Sequence, residues 1–238
     1  MDAQLLANAK RDIPLYFKDF KDFWDASVHY FSDDDLLLCY SNTLIFKNWK
    51  IALNHLGIQN LNSILNEIHE DINASFFYAF FGQYRSAHMH LRSVIELSLQ
   101  LLYFYQHEVE FSLWKKAEFR IKHEDLSSYL KKHPNLIETS AVNLIDTIAY
   151  KWKLFSKYIH AETLSFFQTA LQSSQTKTIS AADFGKWKSS FLGTGYYVNK
   201  LFLLFFRDKL NAFPTQAREI LLRNIKDEDM GELGFRVA

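Results

Sequence analysis

Between residues 61 and 81 the apolar positions Leu61, Ile64, Leu65, Ile68, Ile72, Phe76 and Phe80 recur at intervals of three and four. That is the spacing of a single helical face, and it predicts a long amphipathic helix. Asn60 is the candidate N-cap, and Gly82 is placed to end the helix. From 83 to 106 the apolar residues surround most of the helical circumference, which predicts the central, buried helix. Upstream, helices are expected over 14–30, with Pro14 in its first turn, and over 45–55, ending near Gly57. The run Asp33-Asp34-Asp35 interrupts the pattern between them and suits a cap. Downstream come two shorter, more polar helices, 108–119 and 125–132, and a break at His133-Pro134. A long pattern opens at Ser140 and runs through Leu144, Ile145, Ile148, Trp152, Phe155 and Ile159. It breaks near His160 and resumes to 171.

The stretch 172–178, rich in Ser, Thr and Gln, is the candidate flexible loop. Ser180-Ala-Ala-Asp183 has the form of a capping box and opens a helix to about 211. Within it, Gly193-Thr-Gly195 marks a kink or a point of close helix approach. Pro214 punctuates the chain, 215–225 is a last amphipathic helix, and the polar tail from 226 is expected to fray. No alternation persists long enough for a sheet. The fold class is therefore all-α: an N-terminal helical appendage over 1–56, a bundle over 57–225 and a C-terminal tail over 226–238.

Composition agrees with this. The chain has only 7 Gly and 3 Pro in 238 residues, too few turn formers for a many-stranded sandwich or barrel. Leu occurs 32 times and Val 6 times, so unbranched helix formers dominate. Lys and Arg number 27, as do Asp and Glu, and the zero net charge argues against a protein that coats DNA. A local basic pocket remains compatible with that balance. Cys39 is the single cysteine, which excludes an intrachain disulfide and a cysteine-rich zinc site. No signal-peptide pattern opens the chain, and the apolar runs 76–81, 97–105 and 201–206 fall short of a membrane span. A cytoplasmic protein without a membrane partner is expected. The 22 Phe, 12 Tyr and 5 Trp imply a heavy aromatic core or a buried dimer face.

Several chemistries lack their motifs. There is no phosphate-cradling glycine loop, no Gly-x-Ser-x-Gly elbow, no His-Glu-x-x-His and no Glu-x-x-His. His88-x-His90 has the look of a metal pair, but at ~100° per residue the two side chains leave a helix on nearly opposite sides. Ser112-x-x-Lys115 has serine–lysine spacing of the kind that arises by chance on amphipathic helices. No metal and no cofactor are expected. The feature that stands out is a polar stripe on the apolar helix 83–106: Arg85, His88, Arg92, Glu96 and Tyr103 share one sector. It is either a solvent face, with Arg92 and Glu96 as an ordinary i,i+4 ion pair, or a buried network kept for function. A second polar face, Lys153, Ser156, Lys157 and His160, follows the same three-and-four rule on the later helix. An imidazole among cations can take or give a proton near neutral pH.

The run Tyr84-Arg-Ser-Ala-His-Met-His-Leu-Arg92-Ser-Val-Ile-Glu96-Leu, followed some sixty residues later by Leu154-Phe-Ser156-Lys-Tyr158-Ile-His160, resembles the HEPN superfamily over roughly 61–171. This superfamily comprises small helical bundles, many of them in phage-defence, abortive-infection and toxin–antitoxin systems. The resemblance implies a metal-independent ribonuclease, or an RNA- or nucleotide-binding protein, working as a homodimer, with an antitoxin or defence-system protein as a further partner. It implies that His160 is the family histidine, acting as general acid or base, and that Glu96 with Arg92 occupies the polar position on the bundle helix. Lys153 stands where the family carries arginine, and lysine lacks the planar bidentate grip on phosphate. Lys153 or Lys157 would stabilise charge developing on the phosphate, and Arg85, Arg92, Lys157 and Ser156 would bind substrate. The competing expectation is an inert helical module that acts through dimerisation or partner binding.

Overall fold

The computed structural model describes residues 31–160, 162 and 181–235, together with isolated positions before residue 31. Every regular element among the described residues is helical, and no strand occurs among them. In chain order they are α1 (Asp33–His55), α2 (Asn62–Phe80), α3 (Tyr84–Phe104), α4 (Glu108–Trp114), α5 (His123–Lys131), α6 (Ala141–His160), α7 (Ala181–Phe205), a 3-10 segment (Arg207–Ala212), α8 (Thr215–Leu222) and α9 (Asp227–Met230). The expected helix over 14–30 and the continuation to 171 are described only at isolated positions, and the loop 172–178 and the cap Ser180 lie outside the described residues.

α3 is the central helix. It packs against α2, α5, α6 and α7, and it buries Ala87, Leu91, Val94, Ile95, Leu99, Leu101, Leu102 and Phe104. Its wide apolar arc has a neighbour on nearly every side, as the pattern over 83–106 required. The short apolar run 201–206 behaves likewise, with all six residues buried. Trp49 of α1 packs on Phe202, Phe206 and Phe213, an aromatic cluster that closes α1 over α7 and α8.

Some boundaries differ from the sequence pattern, each for a local reason. α1 begins at Asp33 rather than near 45, because Ser32 caps it by accepting from the Asp35 amide at 3.1 Å. The three aspartates then lie in its first turn, where the helix dipole favours negative charge. α1 also packs on α2, α7 and α8, so residues 33–55 belong to the bundle rather than to an appendage. Asn60 is not the cap of α2; Leu61 holds that position with no side-chain hydrogen bond. Gly57 and Gly82 do end their helices, at φ 79° and 63°, conformations that favour glycine. The last long helix stops at Phe205 and tightens into the 3-10 segment before Pro214. The tail does not fray over 226–235. Tyr196 donates to the Asp229 carboxylate, Lys200 pairs with Asp229 at 2.6 Å, Glu232 accepts from Ser140, and Leu233 is buried.

Gly195 is a point of close approach between α1 and α7. A Cβ there would sit 1.9 Å from Asn42 Oδ1, while Asn42 Nδ2 donates to the Phe191 carbonyl at 3.0 Å. One turn onward, Trp49 Nε1 donates to Asn199 Oδ1 at 2.8 Å, and Asn199 Nδ2 donates to the Leu221 carbonyl at 2.7 Å. These buried amides can be satisfied only where the helix backbones come this close. Gly195→Ala should therefore cost about 1–3 kcal/mol by overpacking. Gly185→Ala lies in the same helix with open space around its Cβ, and should be neutral or gain up to about 1 kcal/mol. Thermal denaturation of the two variants beside the parent chain checks this, and equal melting points would refute it.

Candidate functional site

The polar stripe of α3 is neither a free solvent face nor a fully buried network. It meets α6 along a half-buried seam. Arg92 Nε donates to Ser156 Oγ at 3.0 Å, and Nη1 pairs with Glu96 Oε2 at 2.9 Å. Ser156 Oγ in turn donates to the Trp152 carbonyl at 2.9 Å, the usual intrahelical bond of a helical serine. The guanidinium carbon lies 4.6 Å from the centre of the Trp152 ring, and Trp152 Nε1 donates to Glu96 Oε2 at 3.4 Å. The Arg92 and Glu96 side chains are 28% and 34% exposed, so the ion pair by itself is worth under about 1 kcal/mol. The gain is positional: bonded at two points and stacked at a third, Arg92 is held at a fixed place between the helices.

Sequence spacing did not reveal His123. Its ring stacks on Trp152 at 4.2 Å and 6°, it is buried, and neither ring nitrogen has a hydrogen-bond partner among the described residues. Burial lowers its pKa from the ordinary histidine value, against the pull of Glu124 and Glu96, so the ring is neutral at pH 7.

The second polar face lies on the outside of α6. Lys153, Lys157 and His160 are exposed, and at i, i+4 and i+7 they form one row on the helix. Lys157 makes a 3.4 Å pair with Glu162, both about half exposed. Arg85 does not stand free in a cleft: its Nη2 donates to the Ile159 carbonyl at 2.6 Å and secures the C-terminal turn that carries His160. Thus Arg92, Glu96 and Ser156 come together, and His160 lies one turn beyond Ser156 on α6, two turns beyond the Trp152 that meets Glu96. Eight residues separate His160 from Trp152, about 12 Å along the helix axis. Within one chain, His160, Lys153 and Glu96 do not form a single contact cluster.

Beside Glu96 lies a cavity of about 390 Å³, between α3 and the segment that follows α4. Glu96, Gln100, Ser93, Trp114, Arg120 and Ile121 line it. Gln100 stands one turn beyond Glu96, is 9% exposed, and has no partner for its Oε1 among the described residues. The outer wall turns at Ala117, whose φ of 61° is unusual for a residue with a Cβ. The one local signal that could have pointed to it is Gln100, one turn after Glu96 on the most enclosed helix. The residues that cover it, 114–121, carried none.

His88 and His90 diverge as their spacing required. His88 is buried against Tyr158, ring to ring at 4.1 Å, while His90 Nδ1 meets Asp71 at 2.7 Å. No group of three or more metal-ligating side chains occurs among the described residues. Ser112 and Lys115 form no pair; the Lys115 ammonium lies over Phe111 instead. No helix among the described residues is long and apolar enough to cross a membrane.

Burial pushes the pKa of His88 down to about 4, opposed by the Tyr84 carbonyl that faces Nδ1 at 2.6 Å and by Asp183. The unfolded chain, titrating near ~6.5, takes up that proton first. Stability from neutral His88 is complete above the unfolded value and is lost as pH falls from about 6.5 to about 4. The loss is on the order of 3 kcal/mol. Denaturant titrations at pH 7 and pH 4 should show His88→Phe losing that much less stability across the interval than the parent chain. Equal losses would refute the assignment.

Against family models, curated protein sequences and solved structures, the chain has no match.

Proposed function

We propose that this chain is an RNA- or nucleotide-binding helical protein of the HEPN type. Its setting is a phage-defence or toxin–antitoxin system, and its working form is a homodimer. One observation carries the reading: the exposed row Lys153, Lys157 and His160 on α6 stands alongside Arg92, which reaches the same helix from α3 through Ser156. Two lysines on successive turns, with an imidazole on the next, suit the repeated charge of a phosphodiester chain. Only two of the five N–H donors of Arg92 are used by Ser156 and Glu96, and the side chain is 28% exposed. Its remaining donors are free to reach a phosphate oxygen. Arg92 thereby offers the planar donor that Lys153 lacks.

In its sharper form the proposal is metal-independent cleavage. A ribose 2′-hydroxyl attacks its own 3′-phosphate while His160 removes the hydroxyl proton. The P–O5′ bond breaks, a 2′,3′-cyclic phosphate remains, and the 5′-oxygen leaves with a proton. Lys153 and Lys157 stabilise the charge on the phosphoryl oxygens. Because His160 and Glu96 lie apart within one chain, a second copy would have to complete the site.

The second reading, an inert interaction module, has its own support. Leu37, Tyr40 and Ile51 are 64%, 57% and 43% exposed along α1, an apolar strip without a described neighbour.

Total RNA incubated with the protein in EDTA tests the proposal. Cleavage by the parent chain and its loss in a helical His160→Ala variant is the outcome expected of the sharper form. RNA binding without cleavage, weakened at least tenfold by Lys153→Glu with Lys157→Glu, supports the binding form alone. No binding by the parent chain refutes both and favours the module.

A further inference from the structure

The cavity beside Glu96 is separate from the phosphate row, and its chemistry is specific. Its volume, about 390 Å³, falls within the ~300–1,000 Å³ of small-molecule sites. Its walls include the flat indole of Trp114 and the aliphatic Ile121. Its floor is helix α3, where Glu96 and Gln100 line it one turn apart. Glu96 Oε2 is taken by Arg92 and Trp152, which leaves Oε1 without a hydrogen bond among the described residues. Gln100 Oε1 is buried and unpartnered, a state that costs free energy until a donor reaches it. At the rim stands exposed Arg120, with no carboxylate in an ion pair with it among the described residues.

Charge selects among ligands. Arg92 already balances the Glu96 carboxylate, so Arg120 leaves the cavity with a surplus positive charge. An amine or guanidine ligand would meet that surplus unfavourably. A neutral planar group with two adjacent N–H donors and an attached anion fits every feature. Among nucleobases, the Watson–Crick edge of guanine offers two adjacent donor groups, N1–H and the N2 amino group. Adenine and cytosine each offer one amino group there, and uracil offers one ring N–H.

We propose that this cavity is a guanine-reading pocket: Glu96 Oε1 and Gln100 Oε1 accept from the guanine N1–H and N2 amino group, Trp114 and Ile121 flank the base, and Arg120 meets the phosphate. The guanine belongs either to an RNA chain or to a free nucleotide. The RNA arm rests on the RNA-binding function proposed above; the nucleotide arm does not.

Isothermal titration calorimetry with GMP, AMP, and the single-stranded RNAs UUUGUUU and UUUAUUU separates these cases. The expected result is a preference of about tenfold or more for guanine in at least one of the two pairs. Glu96→Gln should remove that preference, read as the ratio of guanine to adenine affinity within each pair. Because Glu96 also positions Arg92, Arg120→Glu serves as a second variant at an exposed site. It should weaken the guanine ligand about tenfold with helicity and melting point unchanged. A preference in the RNA pair alone assigns the pocket to an RNA residue, and a preference in the mononucleotide pair alone assigns it to a free nucleotide. Equal affinity within both pairs overturns the pocket. If both RNAs nevertheless bind, the RNA-binding function stands without it.

Discussion

The enclosure of α3 is the constraint on which the rest of the molecule depends. A helix with neighbours on nearly every side has little free surface on which to discharge polar groups. Each polar residue it carries must find a protein partner, stay unsatisfied at a cost, or border a cavity. All three outcomes occur. Arg92 and Glu96 are tied to α6, His88 lies neutral against Tyr158, and Gln100 borders the cavity with its carbonyl oxygen unpaired. The functional candidates are thus consequences of one packing decision rather than separate embellishments.

The same enclosure divides the charged groups into two populations. Arg92 and Arg85 are spent on the contact between α3 and α6, the first through Ser156 and the second through the Ile159 carbonyl. Lys153, Lys157 and His160 are exposed on α6, beside the Ser156 position that Arg92 meets. The inner face of α6 is fixed at two points, and that holds the backbone beneath the exposed row in place. The Trp152 indole gathers the first population and its neighbours, since it stacks with both His123 and Arg92 and donates to Glu96.

Much of this was legible in the chain. The three-and-four periodicity placed α2, α3 and α6 closely, because amphipathic faces repeat through the intrinsic geometry of the helix. The stripe Arg92–Glu96 and the row Lys153–Lys157–His160 were legible for the same reason. Legibility failed where partners come from distant segments. The start of α1 at Asp33 depends on packing against α7 and α8 as much as on the Ser32 cap, and the tail is held by Tyr196, Lys200 and Ser140. No local pattern announces such contacts. The stack of His123 on Trp152, across 29 positions of sequence, belongs to the same class.

By itself the sequence determined an all-helical chain, which helix would be central, and which polar residues would share a face, since each of these follows from period and composition alone. The tertiary structure decided what those faces meet: that Arg92 is bound to Ser156, that Glu96 borders a cavity and meets Trp152, and that His160 stands two turns along α6 from Trp152. The physical reason is that a helical face is a local property of consecutive residues, whereas burial, hydrogen-bond satisfaction and cavity shape arise only when segments far apart in the chain exclude water from one another.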